Sequence, residues 1–465
     1  MCTHISRGCK PLRRAIFAKQ MLTTAGWRRD AHVTIGEDGS ITAIGDGDLP
    51  DATRVDILLP APGNVHSHSF QRALAGLTEF RGKAGTDNFW TWRELMYRFV
   101  ERLTPEHVEA IAAQVQVEML EAGYAAVGEF HYLHHQNGGE AYDDPAEMSG
   151  RILNAADETG IGCTHLPVLY MRGGLDDRAL KDGQLRFGCD LERFERLHES
   201  IHSKINLFAD DFRLGVAPHS LRAVTQEGLA LAADLAKDAP VHIHIAEQTA
   251  EVDEVKAALG STPVRWLLDH AEIAENWCLI HATHMSPDET RDAAVSKSVA
   301  GLCPITEANL GDGVFPAAAF IDAGGRMAVG SDSNVRISLT EELRLLEYSQ
   351  RLTLRRRAVL ADARSCGRFL YDHVTAGGAQ ALGRDSGRIA PGALADLVAL
   401  DGAKPYLAGM EDDHLLDAWI FAGDDSAVSD VWSAGRHAVR QGEHIRRDVI
   451  RARFDAVMAE LRADL

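Results

Sequence analysis

Apolar and polar positions follow two styles along the chain. From residue 15 to about 60 they alternate in short runs, Ala31-His32-Val33-Thr34-Ile35 and Ile41-Thr42-Ala43-Ile44, separated by Glu37-Asp38-Gly39-Ser40. Period-two alternation around Asp-Gly predicts a β-hairpin. The same style returns at the far end, in Ala395-Asp396-Leu397-Val398-Ala399-Leu400 and Val431-Trp432-Ser433-Ala434-Gly435-Arg436. Between these ends, near-continuous apolar runs each lead into an amphipathic stretch: 58–68 to 106–121, 124–132 to 147–159, 162–170 to 191–203, 212–219 to 225–237, 240–247 to 250–259, 277–284 to 287–295, 298–306 to an irregular segment, and 326–333 to 339–351. Eight strand–helix units predict a closed parallel barrel. A helical tail over 355–382 is expected outside it, and 84–88 and 173–188 read as loop insertions suited to a lid.

The predicted fold class is therefore α/β: a (β/α)8 TIM-type barrel over residues 61–385, with a small β-sandwich domain from both chain ends. Residues 1–60 supply one part of that domain, and 386–465 supply the other together with a terminal helix.

Composition narrows the partners. Acidic residues number 68 against 48 basic, a formal charge of −20, which repels polyanions and excludes nucleic acid or an anionic membrane as the main partner. The seven cysteines include no C-x-x-C pair; they read as reduced thiols of a cytoplasmic protein. No run reaches the ~20 apolar residues of a membrane span. Residues 1–14 carry four basic side chains without a following signal-length apolar run, and read as a leader.

The chemistry gathers at predicted strand ends. His66 and His68 close the first strand one residue apart, so the pleat turns both imidazoles the same way. His244 near the end of the fifth strand, His281 at the end of the sixth and Asp332 just past the eighth point at the same barrel mouth. His66, His68, His244 and Asp332 form a ligand set for one divalent metal, with Zn²⁺ the default and iron suited to the same donors. Such an ion lowers the pKa of bound water towards ~7. His281 and Asp332 are then placed to take or steer the water's proton, and Glu247 to relay one to a leaving nitrogen. The run 212–219 holds no lysine to bridge a second metal. His242 is expected to support the site without ligating, and His131, His134 and His135 to touch substrate or be loop polarity.

With these residues the chain resembles the amidohydrolase superfamily, over nearly its whole length. Within it, the runs His66-Ser67-His68-Ser69-Phe70-Gln71-Arg72, Trp90-Thr91-Trp92-Arg93-Glu94, Glu129-Phe130-His131-Tyr132 and Ala217-Pro218-His219-Ser220-Leu221-Arg222 are similar to the branch that deiminates N-formimino-L-glutamate in histidine degradation. The resemblance implies hydrolysis to N-formyl-L-glutamate and ammonia. Arg222 would meet one substrate carboxylate and Arg93 with Tyr132 the other, while His219 and Gln71 hold the formimino group; a homodimer is also implied. Two alternatives remain: a related deaminase of a purine or other ring, and a catalytically silent metal-binding scaffold.

Overall fold

The structure is a computed structural model describing residues 14–79 and 96–463. Eight barrel strands run Gly63–Ser67, Ala126–His131, Gly162–Leu169, a fourth broken into Arg213–Leu214 and Ala217–Pro218, then Val241–Ile245, Trp277–His281, Val299–Leu302 and Arg326–Val329. Neighbours pair in parallel. The ring closes through two bridges, Val216 to Val241 and Ser67 to Asp332. The second, third, fifth and sixth strands are buried at every residue, which is why they read as unbroken apolar runs.

The barrel is packed solid below its mouth. Val65, Ala126, Ile280, Val299 and Ala328, from five strands, share one cluster with Leu382. Gly128 is needed there, because a Cβ on it would approach the Val65 carbonyl oxygen to 2.7 Å and Leu382 Cδ2 to 2.8 Å. Function is thereby confined to the rim.

Both chain ends build one β domain, whose strands follow the hydrogen-bonded path Glu443–His444, Arg436–Arg440, Val428–Ser433, Leu397–Leu400, Thr53–Pro60, Arg14–Thr23, Gly26–Ile35, Ile41–Asp46. The two ends join where Thr53–Pro60 pairs antiparallel with Leu397–Leu400. The expected hairpin forms, with Ile35 opposite Ile41 and Gly39 at φ 78°. Ala434 and Gly435, at φ 43° and 73°, turn the chain between the two strands near the C-terminus. Ile16, Val33, Ile41, Val55, Leu397 and Trp432 belong to its core.

Three segments differ from the sequence expectation. The tail is helical only over Cys366–Ala381: Arg355, at φ 54°, ends the preceding helix Leu339–Leu354, and Ser365 caps the next by accepting from the Arg368 amide. The irregular segment after the seventh strand contains the helix Pro304–Leu310, started by proline at its first position and stopped by Gly311 at φ 72°. Within the 173–188 insertion, Arg186 is 1% exposed and donates to the carbonyls of His135, Val100 and Leu103. Those bonds fix this stretch as a wall of the mouth. The other insertion, 84–88, lies outside the described residues.

Candidate metal centre

At the first strand's end the backbone passes from extended to a 3₁₀ turn, Ser69–Leu74, within one residue. His66 and His68 are thereby left at the barrel mouth. His66 Nε2 lies 3.0 Å from His244 Nε2 and 3.5 Å from Asp332 Oδ1; His68 Nε2 lies 3.4 Å from the same oxygen. One donor atom from each of His66, His68, His244 and Asp332 falls within a 4.8 Å group, and all four residues are buried.

Hydrogen bonding fixes the histidine tautomers. His68 Nδ1 faces the Phe130 carbonyl at 2.9 Å and His244 Nδ1 faces the His219 carbonyl at 3.2 Å. A carbonyl only accepts, so each Nδ1 carries the proton and each Nε2 presents a lone pair to the centre. Burial also depresses these imidazoles, His66 to about 3 and His68 and His244 below their ordinary value. Burial works against the Asp332 carboxylate, yet its bond to His66 and the surrounding imidazoles hold it well below the usual range. Neutral imidazoles facing one carboxylate are the donor set of a four-coordinate divalent ion. The residues fit such an ion.

His281 and Asp332 adopt left-handed backbone, φ 68° and 47°, which for side chains of this size costs energy that neighbours must offset. At Asp332 the strand bridge does so: its amide donates to the His66 carbonyl and its carbonyl accepts from the His68 amide, both at 2.9 Å. His281 Nε2 sits 3.8 Å from Glu247 Oε1 and 3.7 Å from Asp332 Oδ2. Its Nδ1 is 3.2 Å from Glu307 Oε1. Burial opposes the imidazolium, but Glu247, Glu307 and Asp332 outweigh it and lift His281 to about 10. Burial drives the Glu247 carboxyl upward, towards the proton-holding form.

A cavity of about 60 Å³ opens over these groups. Gln71, Tyr132, His219 and Arg222 border it together with Glu247 and His281. Gln71 Nε2 donates to the Tyr132 hydroxyl at 2.7 Å. His219 supports the centre too, through the carbonyl that orients His244. Arg93 lies outside the described residues. His242 Nε2 bonds the Ala381 carbonyl at 2.8 Å and is absent from the donor group. His134 and His135 bond the carbonyls of Val168 and Gly188, a loop-bracing role.

Several participants escaped the sequence reading. Glu307 and Asp312 follow the seventh strand, where an irregular segment was expected; only the helix Pro304–Leu310 turns Glu307 back onto His281. Asp312 accepts from the Gln248 amide and groups with Glu247 and His281. Glu251 accepts from the amides of Ala246 and Glu247, fixing the loop that carries Glu247. Tyr170 and Phe187 wall the cavity, their ring centroids 5.9 Å apart. Proline one residue after the apolar strand and glutamate three later, Pro304-Ile305-Thr306-Glu307, was the available helix-start signal.

Comparison with known proteins agrees with this geometry. Residues 57–438 match the amidohydrolase family. A formimidoylglutamate deiminase of Pseudomonas aeruginosa is 49% identical over 96% of this chain and 99% of its own length. The crystal structure of an amidohydrolase from Brucella melitensis is 47% identical, covers 97% of this chain and 100% of that one, and superposes with a TM-score of 0.92. An adenosine deaminase from Xanthomonas campestris with bound zinc shares the fold at 22% identity, covering 96% and 98%, with a TM-score of 0.80. On family match, full-length relatives and shared fold alike, the chain belongs to the amidohydrolase family.

Proposed function

We propose that this chain hydrolyses N-formimino-L-glutamate to N-formyl-L-glutamate and ammonia, in histidine degradation, with one divalent ion, zinc, held by His66, His68, His244 and Asp332. The observation that carries this reading is the pairing, around one cavity, of a metal-type donor set with a separate polar wall that includes the cation Arg222. A substrate with two carboxylates and one amidine needs both. The full-length relative named for the same substrate supports the choice.

A divalent ion in that site would supply Lewis acidity and a water acidified to near neutrality. Gln71 and His219 hold the formimino group against the centre, and Arg222 takes a substrate carboxylate in a charge-assisted contact. Arg93 and Tyr132 hold the other carboxylate. Asp332 accepts the proton released as the water oxygen adds to the formimino carbon, and His281 beside it steers that transfer. With the amidine entering protonated, Glu247 delivers one further proton to the terminal nitrogen, the carbon–nitrogen bond breaks with its electron pair leaving on nitrogen, and ammonia departs as the hydroxyl proton on the carbon returns to Glu247. The carbon keeps the water oxygen as the formyl carbonyl. Glu251 matters here because it clamps the two amides that aim Glu247.

Ammonia release from N-formimino-L-glutamate, N-formimino-glycine and 5′-methylthioadenosine tests the reading. Turnover of the dicarboxylate alone is expected. Release from the nucleoside instead would replace it with a ring deaminase. The family resemblance also implies a cytoplasmic homodimer; light scattering on the purified chain checks the dimer.

A further inference from the structure

We propose that Glu129 is a positioning residue of the metal centre, setting the relation between the His66 and His68 rings through its grip on Ser69 and its strand pairing with Ser67. Glu129 lies on the second barrel strand and is 1% exposed. Its Oε1 accepts from the Ser69 amide at 2.8 Å and its Oε2 from the Ser69 hydroxyl at 2.7 Å. Ser67 stands directly opposite Glu129 in the parallel pairing of the first and second strands, and Ser67 Oγ accepts from Asn334 Nδ2 at 3.2 Å. Glu129 thus meets the chain on both sides of His68, through its carboxyl at Ser69 and as the strand partner of Ser67.

The grip meets a local need. His68 ends the strand at φ −117°, ψ 82° and offers no side-chain cap to the turn Ser69–Leu74. The first amide of that turn, buried with Ser69 at 0% exposure, would lack an acceptor without Glu129. The next residue, Phe130, supplies the carbonyl that orients the His68 ring, and its own ring stands edge-on to His66 and His68 with centroids 5.0 and 5.3 Å away. Two consecutive residues of one strand therefore fix the backbone and the rings of both histidines. The same turn carries Gln71.

Among the described residues no lysine or arginine pairs with Glu129. A buried carboxyl without a cation is a poor stabiliser of a fold. Its place is explained by what it holds.

The proposal rests on His66, His68, His244 and Asp332 holding a metal. The test uses the full chain stripped of metal, with zinc affinity read by chelator competition and the melting temperature of the metal-free protein read by calorimetry. Glu129→Ala is expected to weaken zinc binding by about tenfold to a hundredfold. Glu129→Gln keeps one acceptor and most of the shape, and is expected to lose roughly threefold to tenfold. Glu347→Ala is the control, removing a buried carboxylate whose bonds go to the Val359 and Leu360 amides and to Arg351; it should lower the melting temperature and leave zinc affinity within about twofold. Unchanged affinity in Glu129→Gln, or a loss in Glu129→Ala no larger than in the control, would overturn the proposal while leaving the metal reading intact. A wild-type chain that binds no divalent ion would overturn both.

Discussion

Two buried polar clusters lie at opposite ends of the barrel strands, and they are built on opposite terms. At the start of the third strand, beside Gly162, Arg384 is 1% exposed and every arm of its guanidinium is matched. Nε and Nη2 reach Asp396 at 2.7 and 3.0 Å, Nη2 reaches Asp211 Oδ2 at 2.8 Å, and Nη1 reaches the Asp211 carbonyl at 2.8 Å. Arg436 completes Asp211 with two bonds of 2.7 Å. Charges balance inside the protein. At the other end, His66, His68, His244 and Asp332 turn lone pairs and a carboxylate at one another, with the His66 and His244 Nε2 atoms only 3.0 Å apart. A buried cluster that satisfies itself holds a fold together; one that points several lone pairs at a single spot is made for a ligand.

The contrast predicts that damage at the two clusters separates chemistry from stability. Glu247→Gln keeps shape but removes the proposed proton donor, so turnover should fall by about 10²–10⁴-fold with zinc content and melting temperature unchanged; near-wild-type kcat would remove Glu247 from the reaction. Arg384→Met should do the reverse. It strands the buried Asp396 carboxylate and takes one of two cations from Asp211, and is expected to cost about 3–5 kcal/mol in urea unfolding, with kcat per folded molecule preserved. Loss of activity without loss of stability in that variant would collapse the distinction.

Smaller effects sharpen it. Arg222→Met is expected to lower kcat/KM for the dicarboxylate by about 1.5–3 kcal/mol, the worth of a charge-assisted contact, measured with zinc content held equal. The last test is pH. Although burial opposes it, the bonds from Arg436 and Arg384 depress Asp211 from 3.8 to about 2. A depressed carboxylate stabilises the folded state above its unfolded pKa, and that stability is lost as pH falls from about 4 towards 2. Roughly 2 kcal/mol should disappear across that window, and Asp211→Asn should flatten the loss as followed by denaturant midpoint against pH.

How far each cluster could be read from the chain follows from the same contrast. His66-Ser67-His68 and the residues ending the fifth, sixth and eighth strands were legible because every barrel strand delivers its last residues to one rim, so a local pattern becomes a shared location. Arg384, Asp396, Asp211 and Arg436 were not, since they meet across 173 and 225 positions of chain with no repeating spacing. Glu307 was hidden for a different reason. Its helix is seven residues long, too short for periodicity to declare. Arg186, in an insertion that looked like a lid, is a single charged residue whose acceptors are backbone carbonyls, and these carry no signature in side-chain sequence.

The amino-acid order by itself determined the alternation of strand and helix, the joining of both ends into a β domain and the metal-type donor set, since each is written in local spacing and residue type. Tertiary structure decided which nitrogens of His68 and His244 face inward, which carboxylates lean on His281 and Glu247, and that Glu129 grips the chain around His68. Those depend on carbonyls and side chains brought together only when the ring closes, a contact that no local pattern encodes.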